Sequence, residues 1–143
     1  MNLKNVAITL VVIMLVAGVV AISGCTSTPS ETVLKEIDVA SLPSVSVFGG
    51  QGIILDIPDN ATSVRVTYNL TADSSYGMGS NGNLGVTSEN VDPDSGQNPI
   101  GYNNLYLEAG PSKTISGEKN FTDHGAFYYT GSFSSGKIVI YTR

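Results

Sequence analysis

The chain has 143 residues, of which 13% are charged, and a net charge of −5. So few cations make a poor basic face for neutralising phosphates, which disfavours nucleic-acid binding, and no polybasic membrane patch is present. A single cysteine, Cys25, and a single histidine, His124, exclude an internal disulfide and argue against a transition-metal site.

The first 24 residues have three parts. Lys4 supplies one positive charge, Val6–Ile22 is apolar apart from Thr9, and Ser23 and Gly24 are small. This is the layout of an export signal, with a charged start, an apolar middle and a small-residue cleavage site. Read instead as an uncleaved anchor, its run of about 17 apolar residues is at the short end of what a helix needs to cross a bilayer. Either reading puts the remainder outside the cell and tethered. The string Ile22-Ser23-Gly24-Cys25 resembles the lipobox of prokaryotic membrane lipoproteins. That resemblance implies a diacylglyceryl group on the Cys25 thiol and cleavage just before it. Two acyl chains, at about 0.8 kcal/mol per buried methylene, anchor stably where one does not.

Thr26–Thr32 is polar and aperiodic, a flexible spacer. The expected organisation is therefore 1–24 signal or apolar anchor helix, 25–32 lipidation site and spacer, and 33–143 a single folded domain. That domain is long enough for one hydrophobic core.

The domain reads as short strands between turn residues, without a helix. Strands are expected at Val33–Val39, Ser44–Phe48, Gly52–Ile57, Ser63–Thr71, Asn83–Ser88, Asn104–Ala109, Lys113–Phe121, Gly125–Ser132 and Lys137–Thr142. Ser63–Thr71 alternates most strictly, with Val64, Val66, Tyr68 and Leu70 on one face and Arg65, Thr67, Asn69 and Thr71 on the other. The link Pro58–Thr62 predicts a hairpin or an arch between sheets. Phe133-Ser134-Ser135-Gly136 predicts a hairpin loop, and the nearly continuous apolar run after it predicts a central strand. Eight or nine strands in this length give an all-β fold, a two-sheet antiparallel β-sandwich. Jelly-roll and immunoglobulin-like topologies both fit, and without the cysteine–tryptophan–cysteine signature the jelly roll is preferred. Ala72–Gly101, rich in Gly, Asn, Ser and Asp with one strand inside it, predicts a long loop.

Catalytic chemistry finds little support. Asp123 and His124 are adjacent, so on a strand they point to opposite faces and the acid cannot orient the imidazole; a turn role suits both. Tyr76–Gly82 is glycine-rich but lacks the Lys-Ser/Thr pair of a phosphate loop. Glu89–Gly96 places Asn90, Asp92 and Asp94 at alternate positions, a weak calcium candidate against the simpler reading of a solvated acidic turn. Three glycosylation sequons begin at Asn60, Asn69 and Asn120, all expected to be exposed. Tyr76, Tyr102 and Tyr106 are candidate contact residues, weighed against ordinary packing. The string Gly125–Ser132 and the apolar strand after it resemble a GOLD-type sandwich, which implies partner binding.

The expected role is non-enzymatic: a lipid-anchored domain at the outer face of the membrane that binds a glycan, a wall polymer or a surface protein, adheres, or organises the envelope. One alternative is a structural subunit of a surface filament or wall layer, with Val33–Val39 as a donated strand. A hydrolase is the third reading.

Overall fold

The computed structural model describes residues 30–45, 50–88 and 103–143. Nine strands follow in chain order: β1 (Thr32–Asp38), β2 (Ser44–Val45), β3 (Gly50–Asp56), β4 (Val64–Ala72), β5 (Ser80–Thr87), β6 (Asn104–Ala109), β7 (Thr114–Phe121), β8 (Ala126–Gly131) and β9 (Phe133–Thr142). They form a four-stranded sheet in the order β1-β9-β4-β7 and a five-stranded sheet in the order β2-β3-β8-β5-β6. Every neighbouring pair is antiparallel.

The pairings are nested. β5 pairs with β6, β4 with β7, β3 with β8 and β1 with β9. A chain doubled on itself in this way and rolled into two sheets is a jelly roll, with β2 an added edge strand. The all-β sandwich expected from the sequence is therefore the observed fold. The segment 57–63 is an arch, since it carries the chain from one sheet to the other.

The core lies between the sheets. The four-stranded sheet contributes Val64, Val66 and Leu70 from β4, Phe121 from β7, and Phe133, Ile138 and Ile140 from β9. The five-stranded sheet contributes Leu84 and Val86 from β5, Leu107 from β6, and Phe127 and Tyr129 from β8. The alternation legible in Ser63–Thr71 is the inward face of β4, with Tyr68 half-buried at its middle. Each of the large apolar side chains stabilises the fold by about 1.5–3 kcal/mol relative to exposure.

β8 departs from simple alternation, because all six of its residues are buried. Phe127 and Tyr129 face the core. Ala126, Tyr128 and Thr130 face the other way and are still buried. The Tyr128 ring lies against the backbone of Gly85, where an added Cβ would be 2.7 Å from its hydroxyl. Tyr129 Oη sits in the core without a hydrogen-bond partner among the described residues, and burial pushes its phenol well above the ordinary tyrosine value.

Two sequence expectations are corrected. Phe133–Gly136 is not a hairpin loop but the start of β9, and β8 and β9 lie in different sheets. Phe133 is too apolar for a turn and is buried, while Gly136, at φ 124°, allows the backbone of Asn69 and Leu70 to approach closely. Secondly, the one strand expected inside Ala72–Gly101, at Asn83–Ser88, is β5, which starts three residues earlier at Ser80. Glycine and asparagine hid that start. The central position expected for the last strand is observed, with β9 between β1 and β4. Cys25, the segment 1–24 read as a signal or anchor, most of the expected spacer and Phe48 lie outside the described residues.

A charged fork holds the start of β1. The Nε of Arg65 donates to both carboxylate oxygens of Glu31, at 3.0 and 3.1 Å, and its Nη2 donates to Oε2 at 2.6 Å. Arg143 reaches Glu31 from the C-terminus at 3.0 Å, Glu118 lies 3.3 Å from Arg65, and the guanidinium stacks 4.1 Å from the centre of the Tyr141 ring. Arg65 and Tyr141 are register partners on β4 and β9, so Glu31 reaches across β9 to the middle of the sheet.

Arg65 beside Glu31 holds that carboxyl below the usual glutamate range. Native Glu31 therefore binds fewer protons than the unfolded chain, and its contribution is present above the unfolded glutamate pKa and lost as pH falls through the lowered native one. Glu31→Gln is expected to lower stability at neutral pH, with the gap to the parent closing on acidification, as read from denaturant unfolding across pH. Tyr129→Phe removes a buried hydroxyl without a partner, so its unfolding midpoint is expected to be equal to or above the parent's.

Candidate contact surface

The strand directions sort the connections between two ends of the sandwich. At one end lie the start of β1, the end of β9 and the connections 57–63 and 122–125, since Thr32 pairs with Thr142 and Val64 with both Thr142 and Phe121. At the other end lie 73–79, 110–113 and Ser132, since Ala72 pairs with Phe133, Thr71 with Thr114 and Ser80 with Ala109. This second group forms a rim remote from the point where the chain enters the domain.

Ser80 organises the rim. Its side chain is buried, its hydroxyl donates to the carbonyl of Ser132 at 2.8 Å, and it accepts from the N–H of Asp73 at 2.9 Å. One hydroxyl thus joins the β4–β5 connection to the β8–β9 crossing. Ser132 strengthens that crossing, because its N–H donates to the carbonyl of Asn81 and its Oγ accepts from the N–H of Asn81. The N–H of Ala72 donates to the carbonyl of Lys113, which ties in the β6–β7 turn.

The 73–79 connection is shaped locally. Asp73 Oδ1 accepts from the N–H of Ser75 at 2.8 Å, an Asx turn that leads into the 3-10 turn Ser75–Gly77. That backbone bond holds the Asp73 carboxyl below the ordinary aspartate range. Gly79, at φ 73°, passes so close to the backbone of Ala109 and Gly110 that no side chain fits. The result presents small polar residues around Met78, which is 86% exposed. Pro111 and Ser112, the latter at φ 57°, complete the surface from the neighbouring turn.

The sequence candidates fall in several places. Tyr76 is in the 3-10 turn of the rim. Tyr106 is 58% exposed on β6, where its register partner is Asn83. Tyr102 lies outside the described residues, as do Asn90, Asp92 and Asp94. Tyr76 and Tyr106 thus belong to different elements, a connection and a strand. Among the described residues, no group of three or more His, Cys, Asp or Glu is placed to hold a metal ion. Asp123 and His124 sit in a connection, as expected, and turn to different partners. Asp123 accepts from Asn103 Nδ2 at 2.8 Å, while His124 Nδ1 is 3.3 Å from the carbonyl of Thr122. Asn60, Asn69 and Asn120 are all exposed. The sequence reading missed Ser80 and Asp73, although Asp73-Ser74-Ser75 is an Asx-turn signal.

No family model matches the chain, and no curated protein matches it. Among solved structures, one reported under the words "Bacillus endospore appendages form a novel family of disulfide-linked pili" is similar over 83% of this chain and 92% of its own, with a TM-score of 0.36 and 8% sequence identity. A likeness of that size carries no functional argument.

Ser80→Ala leaves the Asp73 N–H and the Ser132 carbonyl without their shared partner. It is expected to cost about 1–3 kcal/mol in denaturant unfolding and to raise hydrogen exchange at Asp73 before the strand interiors respond.

Proposed function

We propose that this protein is a lipid-anchored, extracytoplasmic jelly roll that binds a surface polymer, glycan or protein through its rim, without catalysing a reaction. The observation that carries the reading is the position of the chain's entry. Thr32 pairs with Thr142 at the end opposite 73–79, 110–113 and Ser132. A tether at Cys25 joins the domain at that entry end, remote from the rim. The rim takes its shape from backbone-directed hydrogen bonds, and its exposed groups are small hydroxyls, Pro111, Met78 and Lys113.

A structural subunit of a filament or wall layer is the second reading. It is favoured by the place of β1, an edge strand that follows the spacer directly and pairs with β9 alone. The same seat accepts a strand from a second copy. Concentration-dependent assembly by size exclusion separates this from the first reading, which expects a monomer.

Two measurements test the leading proposal. Cys25→Ser is expected to remove the diacyl mass and release the protein from the membrane fraction; full retention would instead favour an uncleaved helix. Proteoliposomes carrying the lipidated protein are then offered arrayed polysaccharides and wall polymers, with calcium and with chelator. Met78→Glu with Pro111→Glu is expected to weaken capture by about tenfold or more, while Ser116→Glu leaves it unchanged. Absence of capture under both conditions would overturn polymer and glycan binding, and the chelator arm decides calcium.

A further inference from the structure

The outer face of the four-stranded sheet carries two of the three sequons on one surface. Asn69 lies on β4 and Asn120 on β7, which are paired neighbours, and both side chains are exposed. They share a face by register. Arg65 partners Asn120 and Asn69 partners Ser116, and Arg65 and Asn69 alternate with the inward-facing Val64, Val66 and Leu70. Asn120 is four residues beyond Ser116, so the two amides are separated by roughly 14 Å, from about 3.3 Å per residue along the strand and about 4.8 Å between strands. Asn60 is exposed in the arch before β4, at the Arg65 end of the same strand.

We infer that Asn69 and Asn120 are N-glycosylated and that the outer face of the four-stranded sheet is a glycan-covered surface, with Asn60 a third site at its edge. The modification rests on the extracytoplasmic address proposed above. The co-reactant is an oligosaccharide linked through phosphate or pyrophosphate to a polyisoprenoid lipid. The asparagine amide nitrogen attacks the anomeric carbon. A C–N bond forms, the anomeric C–O bond to phosphate breaks, the amide gives up one proton, and the lipid phosphate leaves.

The fold tolerates the products. Among the described residues neither side-chain amide makes a hydrogen bond, and the outer face is held by other groups, the Glu31–Arg65–Arg143 fork and the Thr71–Thr114 hydroxyl contact at 2.9 Å among them. The fold also orders the steps. β4 is paired on both sides, with β9 and β7, so a transferase that binds an extended sequon reaches Asn69 only before the sheet closes. Asn120 is on the edge strand and Asn60 is in the arch, so both stay open to transfer after folding. Glycans on this face and a tether at the entry end leave the rim and the five-stranded sheet as the protein surface open to partners.

The test is intact-mass and peptide mass spectrometry of the full protein from its native host, together with fractionation of the same cells. Peptides containing Asn69 and Asn120 are expected to carry glycan, and amidase treatment to convert each site to aspartate. Asn69→Gln and Thr71→Ala should each remove one glycan mass, as should Asn120→Gln and Thr122→Ala. The threonine variants keep the asparagine, which separates loss of the sequon from loss of the side chain. Unfolding midpoints confirm that each variant folds. Exported protein with unmodified Asn69 and Asn120 overturns the inference and leaves the address intact. Protein found unmodified in the cytoplasm overturns both. Folded protein made without glycan and exposed to transferase and donor should gain glycan at Asn60 and Asn120 alone; transfer to Asn69 there would overturn the order of steps.

Discussion

The insertion of β9 between β1 and β4 is the pairing on which the rest of the molecule depends. One strand from the C-terminus closes the four-stranded sheet to both of its neighbours. Its inward residues Phe133, Ile138 and Ile140 fill the core from that side. The pairing of Thr32 with Thr142 joins residues from nearly opposite ends of the domain, so closure gives up chain entropy that the pairing and apolar burial must offset. With a single cysteine in the chain, the domain has no internal disulfide to restrain its unfolded state. β9 does that work through packing and pairing, with nine of its ten residues registered to β4 and Lys137–Thr142 registered to β1 as well.

The Glu31–Arg65–Arg143 fork belongs to this closure. It ties the residue just before β1 to the centre of the sheet and to the C-terminal residue, across the strand between them.

Much of the architecture was legible because a half-buried strand writes its environment as period-two alternation. Val64, Val66, Tyr68 and Leu70 disclosed β4, the inward face of the sandwich and the outward direction of Asn69 at once. The legible pattern failed where side chains carry less information. β5 begins Ser-Asn-Gly-Asn, which reads as a loop, yet Ser80 and Gly82 are buried there by hydrogen bonding and close backbone approach. Phe133–Gly136 has turn composition over three of its four residues, but burial of Phe133 and pairing with β4 make it strand. The rim was only partly legible. Asp73 announces a local turn, whereas the bridge from Ser80 to Ser132 spans 52 residues and leaves no mark on either neighbourhood.

By itself the sequence determined the class of the molecule: an all-β domain with strand-period patterning, a net negative charge, a single cysteine, and sequons whose asparagines point to water. These follow from composition and from periods of two, which are local properties. Only the tertiary structure decided which strands are neighbours, that 73–79, 110–113 and Ser132 meet at the end remote from Thr32, that Glu31 finds Arg65, and that Asn69 and Asn120 share one face. Each of these is a relation between segments far apart in the chain. It is set by which pairings bury the most apolar surface and satisfy the most backbone groups together, and no local pattern encodes that choice.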